Sequence, residues 1–299
     1  MNKGVLYAAS AYTAWGLLPI FWKALQHVPA LEILAHRVVW ALVVTLAVGA
    51  TRGSWAWLGT ALRSRRVWLT FGSTALLLSV NWGLYIWAVN AGHVIETSLG
   101  YFINPLVNVF LGVVFLRERL RPGQTIAIGL ALAGVLYLTV TYGSPPWIAL
   151  ILAGTFGSYG LLRKTAPLNS LEGFTFETLA MFPLALAFLI FTEVTTGGAL
   201  FHAGWGTTLL LASSGVITAV PLLLFASGAR RVTMTTLGLL QYIAPTLQFI
   251  LGVTLYGETL TPERMVGFAL VWLALSIYTL EGVVSGGRAA RARTVAALK

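Results

Sequence analysis

Few polar side chains interrupt the long apolar stretches of this sequence, and those that do fall on helical spacing. Thr97, Tyr101, Asn104 and Asn108 recur every three or four residues around Pro105, and Gln241 and Gln248 stand in the same relation to Pro245. Asn81 and Tyr85 form another i, i+4 pair, while Tyr12, Trp15, Pro19 and Trp22 share one face of the first apolar stretch. On a period of 3.6 residues each set makes one stripe. Amides and hydroxyls set against hydrocarbon are costly, so the stripes must face inward. Together they offer hydrogen bonding and aromatic surface to a small amphipathic or zwitterionic organic solute. The candidate solute-binding residues are Tyr12, Trp15, Asn81, Tyr85, Tyr101, Asn104, Asn108, Gln241 and Gln248, with Pro105 and Pro245 as helix breaks. The plainer reading is also open: Asn and Gln can act as interhelical glue worth about 0.6 to 2 kcal/mol each, and the aromatics can be packing.

A second constellation is charged. His36 and Arg37 lie about two turns inside the second apolar stretch, with Glu32 above them and Glu96 opening the fourth. An unpaired arginine at such a depth is expensive, so Glu32 or Glu96 is the expected partner. The cluster could bind a solute carboxylate or act as a gate, and His36 could carry a coupling proton. A plain ion pair fixing helix positions is the alternative. Glu177, the repeat counterpart of Arg37, is expected near Arg163 and Lys164 instead. No phosphate loop, HExxH, GxSxG or ligand-spaced His cluster is present, and there are no cysteines. ATP-driven transport, thiol chemistry and thiolate metal sites are excluded; no cofactor or metal is expected, and enzymatic activity is argued against.

The elements that position these residues are membrane spans. With 58% hydrophobic and 9% charged residues and a mean hydropathy of +0.83, the chain cannot cover a water-soluble surface. Stretches of spanning length fall near 4–24, 30–50, 67–88, 93–116, 122–141, 145–164, 172–192, 205–229, 234–257 and 262–284. The expected fold is an all-α polytopic membrane protein of ten transmembrane helices. Residues 51–68, where Trp55, Trp57, Leu58, Leu62 and Trp68 interleave with arginines, read as an interfacial helix. The stretch 285–299 reads as a basic, disordered cytoplasmic tail.

The sequence also repeats itself. Pro105, Gly112, Glu118, Leu120 and Pro122 recur about 140 positions on as Pro245, Gly252, Glu258, Leu260 and Pro262. Each copy, 4–141 and 145–284, holds five spans. An odd number makes the second copy enter the bilayer from the opposite side, so the copies form an inverted repeat, in which solute sites lie where the halves meet. Of the 19 Lys and Arg, all but Lys23, Arg37 and Arg264 fall on one side of this arrangement. The positive-inside rule then places both termini in the cytoplasm. The net charge of +10 is therefore a topological label, and no nucleic-acid partner is expected.

The strings Glu32 to Trp40 (EILAHRVVW), Asn81 to Asn90 (NWGLYIWAVN), Gly100 to Asn108 (GYFINPLVN) and Tyr242 to Leu247 (YIAPTL) resemble the RarD branch of the EamA family, in the drug/metabolite transporter (DMT) superfamily. The resemblance covers nearly all of residues 4–284. It implies an EamA/DMT-like fold of two inverted five-helix repeats, residence in a bacterial plasma (inner) membrane, and transport. One departure stands at the end of the repeat's fourth helix, where Gly257 and Glu258 answer to Arg117 and Glu118. The expected function is secondary transport of a small organic metabolite or drug by alternating access, as a monomer or homodimer with the lipid bilayer and the solute as partners. An intramembrane enzyme on a lipid-soluble substrate and a non-transporting scaffold are the competing classes; the first needs a tight acid/base or metal cluster, the second a sealed midplane.

Overall fold

The computed structural model describes residues 2–51, 55–91, 93–143, 145–257 and 262–297. Arg52, Glu258, Leu260 and Lys299 lie outside these residues, as do the side chains of Arg264, Arg288, Arg291 and Arg293. The described residues form helices α1 (Lys3–Ala24), α2 (Ala30–Thr51), α3 (Ala56–Arg63), α4 (Arg65–Asn90), α5 (Val94–Leu116), α6 (Pro122–Tyr142), α7 (Trp147–Thr165), α8 (Ser170–Thr196), α9 (Trp205–Ala229), α10 (Met234–Gln241), α11 (Ile243–Thr254) and α12 (Pro262–Ala297).

Local chemistry sets the helix limits. Asn2, Ser64, Asn169 and Thr233 each accept a backbone N–H of the first turn that follows, and Glu172 closes a capping box with Asn169. Arg117 at φ 55° ends α5, and Gly143 and Gly197 at φ 78° and 75° end α6 and α8 in the left-handed conformation of a C-cap. Between these limits apolar side chains face outward as well as inward: Leu184 and Val194 are each 80% exposed. In water this would be untenable; against lipid it is the expected surface.

By length and composition, eight helices among the described residues can cross a membrane, with α10 and α11 together counting as one. α7 and the apolar part of α12, Met265–Glu281, are not among the eight. α3 is the short helix expected between spans, and the Trp68 indole N–H donates to Leu62 O at 2.9 Å across its end. The tail differs from expectation. α12 continues to Ala297 because its alanine- and arginine-rich sequence consists largely of strong helix formers.

The packing is interleaved. α1 lies on α9, α10 and α11; α2 on α8 and α9; α5 on α7 and α10; α6 on α12; α4 on α7 and α8. Under the repeat these contacts exchange or map onto themselves, α5 on α7 answering to α11 on α1. Small residues make the approaches possible: Ala149 and Ala153 on α7 and Ala127 and Ala131 on α6 are fully buried. Loops 25–29 and 197–204 gather at one end of the bundle, where the Ala199 N–H donates to Glu32 Oε1 at 2.5 Å. Loops 166–169 and 230–233 gather at the other, where Arg230 Nη1 donates to the carbonyls of Ala166 and Leu168.

Candidate functional site

The helices that carry the repeat-related Pro105 and Pro245 meet where α10 packs on α5. A Cβ at Gly238 would stand 2.5 Å from the Pro105 carbonyl oxygen, so α10 meets α5 at the proline's own turn and only glycine fits there. Beside this contact Asn108 Nδ2 donates to Gln241 Oε1 at 2.8 Å, and the Tyr242 hydroxyl donates to Phe102 O at 3.1 Å. The helices respond differently to their prolines. α5 runs unbroken through Pro105, whereas the chain breaks at Tyr242 into α10 and α11, next to the Gln241 carbonyl that Pro245 leaves without a donor.

A cavity of about 230 Å³ opens at this crossing. α1 contributes Tyr12, Trp15, Pro19 and Trp22; α4 Asn81, Trp82 and Tyr85; α5 Thr97, Tyr101 and Asn104; α10 and α11 Gln241 and Gln248; α2 supplies Arg37. Leu152 and Phe156 of α7 and Thr218 and Leu222 of α9 complete the wall. Eight of the nine candidate solute-binding residues thus meet at one place. Asn108 does not line the cavity; it sits one turn deeper on α5 than Asn104 and is fully buried, its Nδ2 donating to Gln241 and its Oδ1 without a partner among the described residues. Pro105 and Pro245 shape the wall without lining it.

The polar groups of the wall differ in their commitments. Asn81 Nδ2 donates to Leu152 O and Thr155 Oγ1, both at 2.9 Å, and Gln248 Nε2 donates to Trp15 O at 3.3 Å. These amides join helices as well as lining space. Asn104 Oδ1 and the Tyr12 hydroxyl are buried without a hydrogen-bond partner in the protein. Buried polar atoms are seldom left so; both are closed off from the cavity surface, so a ligand reaches them only if neighbouring side chains shift.

The charged cluster departs most from expectation. Arg37 pairs with neither Glu32 nor Glu96: its Nε donates to Thr218 Oγ1 at 3.0 Å, and its guanidinium packs 4.8 Å from the Trp22 ring and 4.7 Å from the Trp82 ring. Glu32 is drawn to the Ala199 amide, and Glu96 is 3.0 Å from His93. The indole faces take the place of a counter-ion, an arrangement open to arginine in an aromatic cage. His36 is buried 3.9 Å from Glu32, with neither ring nitrogen hydrogen-bonded, and is not in the cavity wall. Of the cluster only Arg37 reaches the cavity.

Glu177 lies, as the repeat inversion requires, with Arg163 at 3.5 Å. The pair is buried, and Tyr159 and the Ser170 carbonyl complete its surroundings. Between this pair and the cavity stands a layer of touching rings, Tyr12, Trp15, Phe156, Tyr159 and Phe225, with neighbouring centroids 5.3 to 6.1 Å apart. Trp82, Phe156 and Thr218 were not legible as site residues. Trp82 adjoins Asn81 and so falls off its stripe by about 100° of helix, while Phe156 and Thr218 carry no mark distinguishing them from ordinary apolar-segment residues.

The model of the EamA-like transporter family matches residues 2–140 and again residues 145–280. The chain belongs to that family. Among its EamA relatives, "Protein RarD" of Streptomyces exfoliatus is 48% identical over 99% of this chain and 94% of its own length. "Uncharacterized transporter YojE" of Bacillus subtilis is 44% identical, covering 94% of this chain and 95% of its own. "Protein RarD" of Escherichia coli K12 is 41% identical, covering 97% and 98%. This EamA chain is therefore of the RarD branch, a polytopic membrane protein in a family of transporters. A solved structure titled "Crystal structure of protein" superposes with a TM-score of 0.72 at 21% identity, covering 93% of this chain and 97% of that one, which establishes the shared fold.

Proposed function

We propose that this EamA protein is a secondary transporter of the bacterial inner membrane that carries a small organic solute by alternating access through the α5/α10 crossing. The observation that carries the reading is the cavity itself. It sits between repeat-related proline helices, and among the described residues it is walled by rings, neutral amides and one cation, Arg37. In inverted-repeat carriers that is where the solute binds. The proposed topology puts both termini and the α7–α8 loop in the cytoplasm. The cavity then occupies the outer half of the bundle, and the aromatic layer closes it toward the cytoplasm. This describes an outward-facing state.

The test begins with metabolite-wide uptake in cells lacking and overexpressing the protein, followed by flux of the responding solutes into vesicles holding purified protein. Solute-selective flux at rates above protein-free vesicles, coupled to an imposed pH or ion gradient, is the expected result. Vesicles that pass none of the responding solutes under any gradient would leave the scaffold reading standing.

A further inference from the structure

From the surroundings of Arg37 we infer that the cavity is built for an organic monocarboxylate with an apolar or aromatic body. The inference deepens the transport reading and rests on it for the cavity's being a solute site. Among the described residues the guanidinium makes one hydrogen bond, Nε to Thr218, and its Nη groups make none. Trp22 and Trp82 cover it with ring surface, which holds the plane in place and leaves the N–H edge as its polar outlet. An edge of two parallel N–H groups matches the two oxygens of a carboxylate. Tyr85 and Tyr101 line the same cavity, and their rings meet edge to face at 6.3 Å.

The charge balance points the same way. Among the described residues no glutamate lines the cavity, and the chain has no aspartate. Each glutamate whose side chain is described is engaged elsewhere: Glu32 and Glu96 as above, Glu177 on Arg163, Glu118 on α10, and the others at helix ends and loops. The cavity therefore holds one fixed positive charge in a low-dielectric setting with rings in place of a counter-ion. A single negative charge neutralises it, a dianion would leave an excess, and a cation would add to it. Tyr12, Trp15 and Phe156 in the same wall offer ring surface to the solute's body.

The experiment titrates the purified full chain in lipid nanodiscs at neutral pH with three probes of like shape: 3-phenylpropionate, 3-phenylpropanamide and 2-phenylethylammonium. Calorimetry gives the affinities, and the emission of the tryptophans in the wall reports occupancy. The expected result is at least about a tenfold preference for the carboxylate over both others. In Arg37→Gln that ratio falls to near one, and in Arg37→Lys, which keeps the charge and loses the fork, the carboxylate's affinity also drops. Equal binding of the three, preference for the amide or ammonium, no binding of any, or a ratio that survives in Arg37→Gln each overturns the proposal. Should the glutamine variant not fold, the wild-type series and the lysine variant decide it alone, unchanged carboxylate affinity in the latter counting against. Carboxylate-selective binding in a protein that passes no solute would remove the transport reading and leave this one; flux of neutral solutes without carboxylate preference would do the reverse.

Discussion

Asn104 and Asn108 stand one helical turn apart on α5 and are assigned different work by what surrounds them. Asn108 is wholly buried with its Nδ2 bonded to Gln241, so it joins α5 to α10; Asn104 lines the cavity. The amide oxygen of each is unmatched among the described residues, so it is position that separates them. Leucine keeps comparable bulk at either position and removes the hydrogen bonding. Asn108→Leu should cost about 0.6 to 2 kcal/mol of stability, seen as a lower melting temperature, with flux per folded molecule little changed. Asn104→Leu should leave melting near the native value and weaken solute flux several-fold in vesicles. An interchange of these phenotypes would move the site one turn along α5. The buried Arg163–Glu177 pair makes a different prediction. Removing one partner leaves a charge in a closed, low-dielectric place, so Glu177→Gln should destabilise by about 3 to 5 kcal/mol. The double change Arg163→Met with Glu177→Gln should recover most of that in thermal melts, since no lone charge remains. Equal melting of the single and double variants would show that the pair's Coulomb attraction is not what holds this region.

Among the elements, α5 and the α10–α11 pair meet beside the cavity, and they show what the sequence could and could not disclose. The repeat was legible because Pro105 and Pro245 recur with their neighbours; that the two helices pack on one another was not. Which of the two helices breaks was not legible: both prolines withdraw the same donor, and the break falls at Tyr242 through packing against α5 that no local pattern encodes. The stripes of Tyr101 with Asn104 and of Gln241 with Gln248 were readable because helical spacing alone puts them on one face. The partner of Arg37 was misread for a related reason. Charge complementarity in sequence names Glu32 and Glu96, whereas the cage that replaces them is assembled from α1 and α4, whose approach to α2 is a tertiary fact. Glu118 illustrates an element's end doing two things. Its carboxylate accepts the Met234 and Thr235 amides at 2.6 and 2.9 Å and the Thr235 hydroxyl at 2.8 Å, capping α10 from the end of α5. Glu118→Ala should cost about 1 to 2 kcal/mol as a lost cap, and should also raise hydrogen exchange at the first turn of α10 above that of α11. Uniform exchange across both helices would mean the contact does not hold α10 in place.

For the whole molecule, the interleaved packing bears on how such a carrier can move. The two stretches that match the family, 2–140 and 145–280, are not two bodies in space, since α5 rests on α7 and α1 on α9 and α11 across the boundary between them. Rocking one repeat against the other would tear most of the core. An inverted repeat offers another route, in which the two halves exchange conformations: α5 takes the break now at Tyr242 while α10–α11 straightens, and the opening passes to the other side. In the present state the α7–α8 end is fastened by Glu118 on α10, by Lys164 Nζ donating to the Ala229 and Val232 carbonyls, and by Arg230 on the carbonyls of Ala166 and Leu168. The cysteine-free chain lets this be tested without background. With an impermeant thiol reagent on intact cells, Gln26→Cys in the α1–α2 loop and Leu18→Cys in the cavity wall should label. Pro167→Cys in the α7–α8 loop should label only in inverted vesicles. Leu237→Cys, buried on α10 beneath the aromatic layer, should resist from both sides at rest and become reactive from the cytoplasmic side when a transported solute is supplied. Labelling of Pro167→Cys in intact cells would invert the topology, and a Leu237→Cys that stays silent during measured flux would rule out an opening that passes through α10.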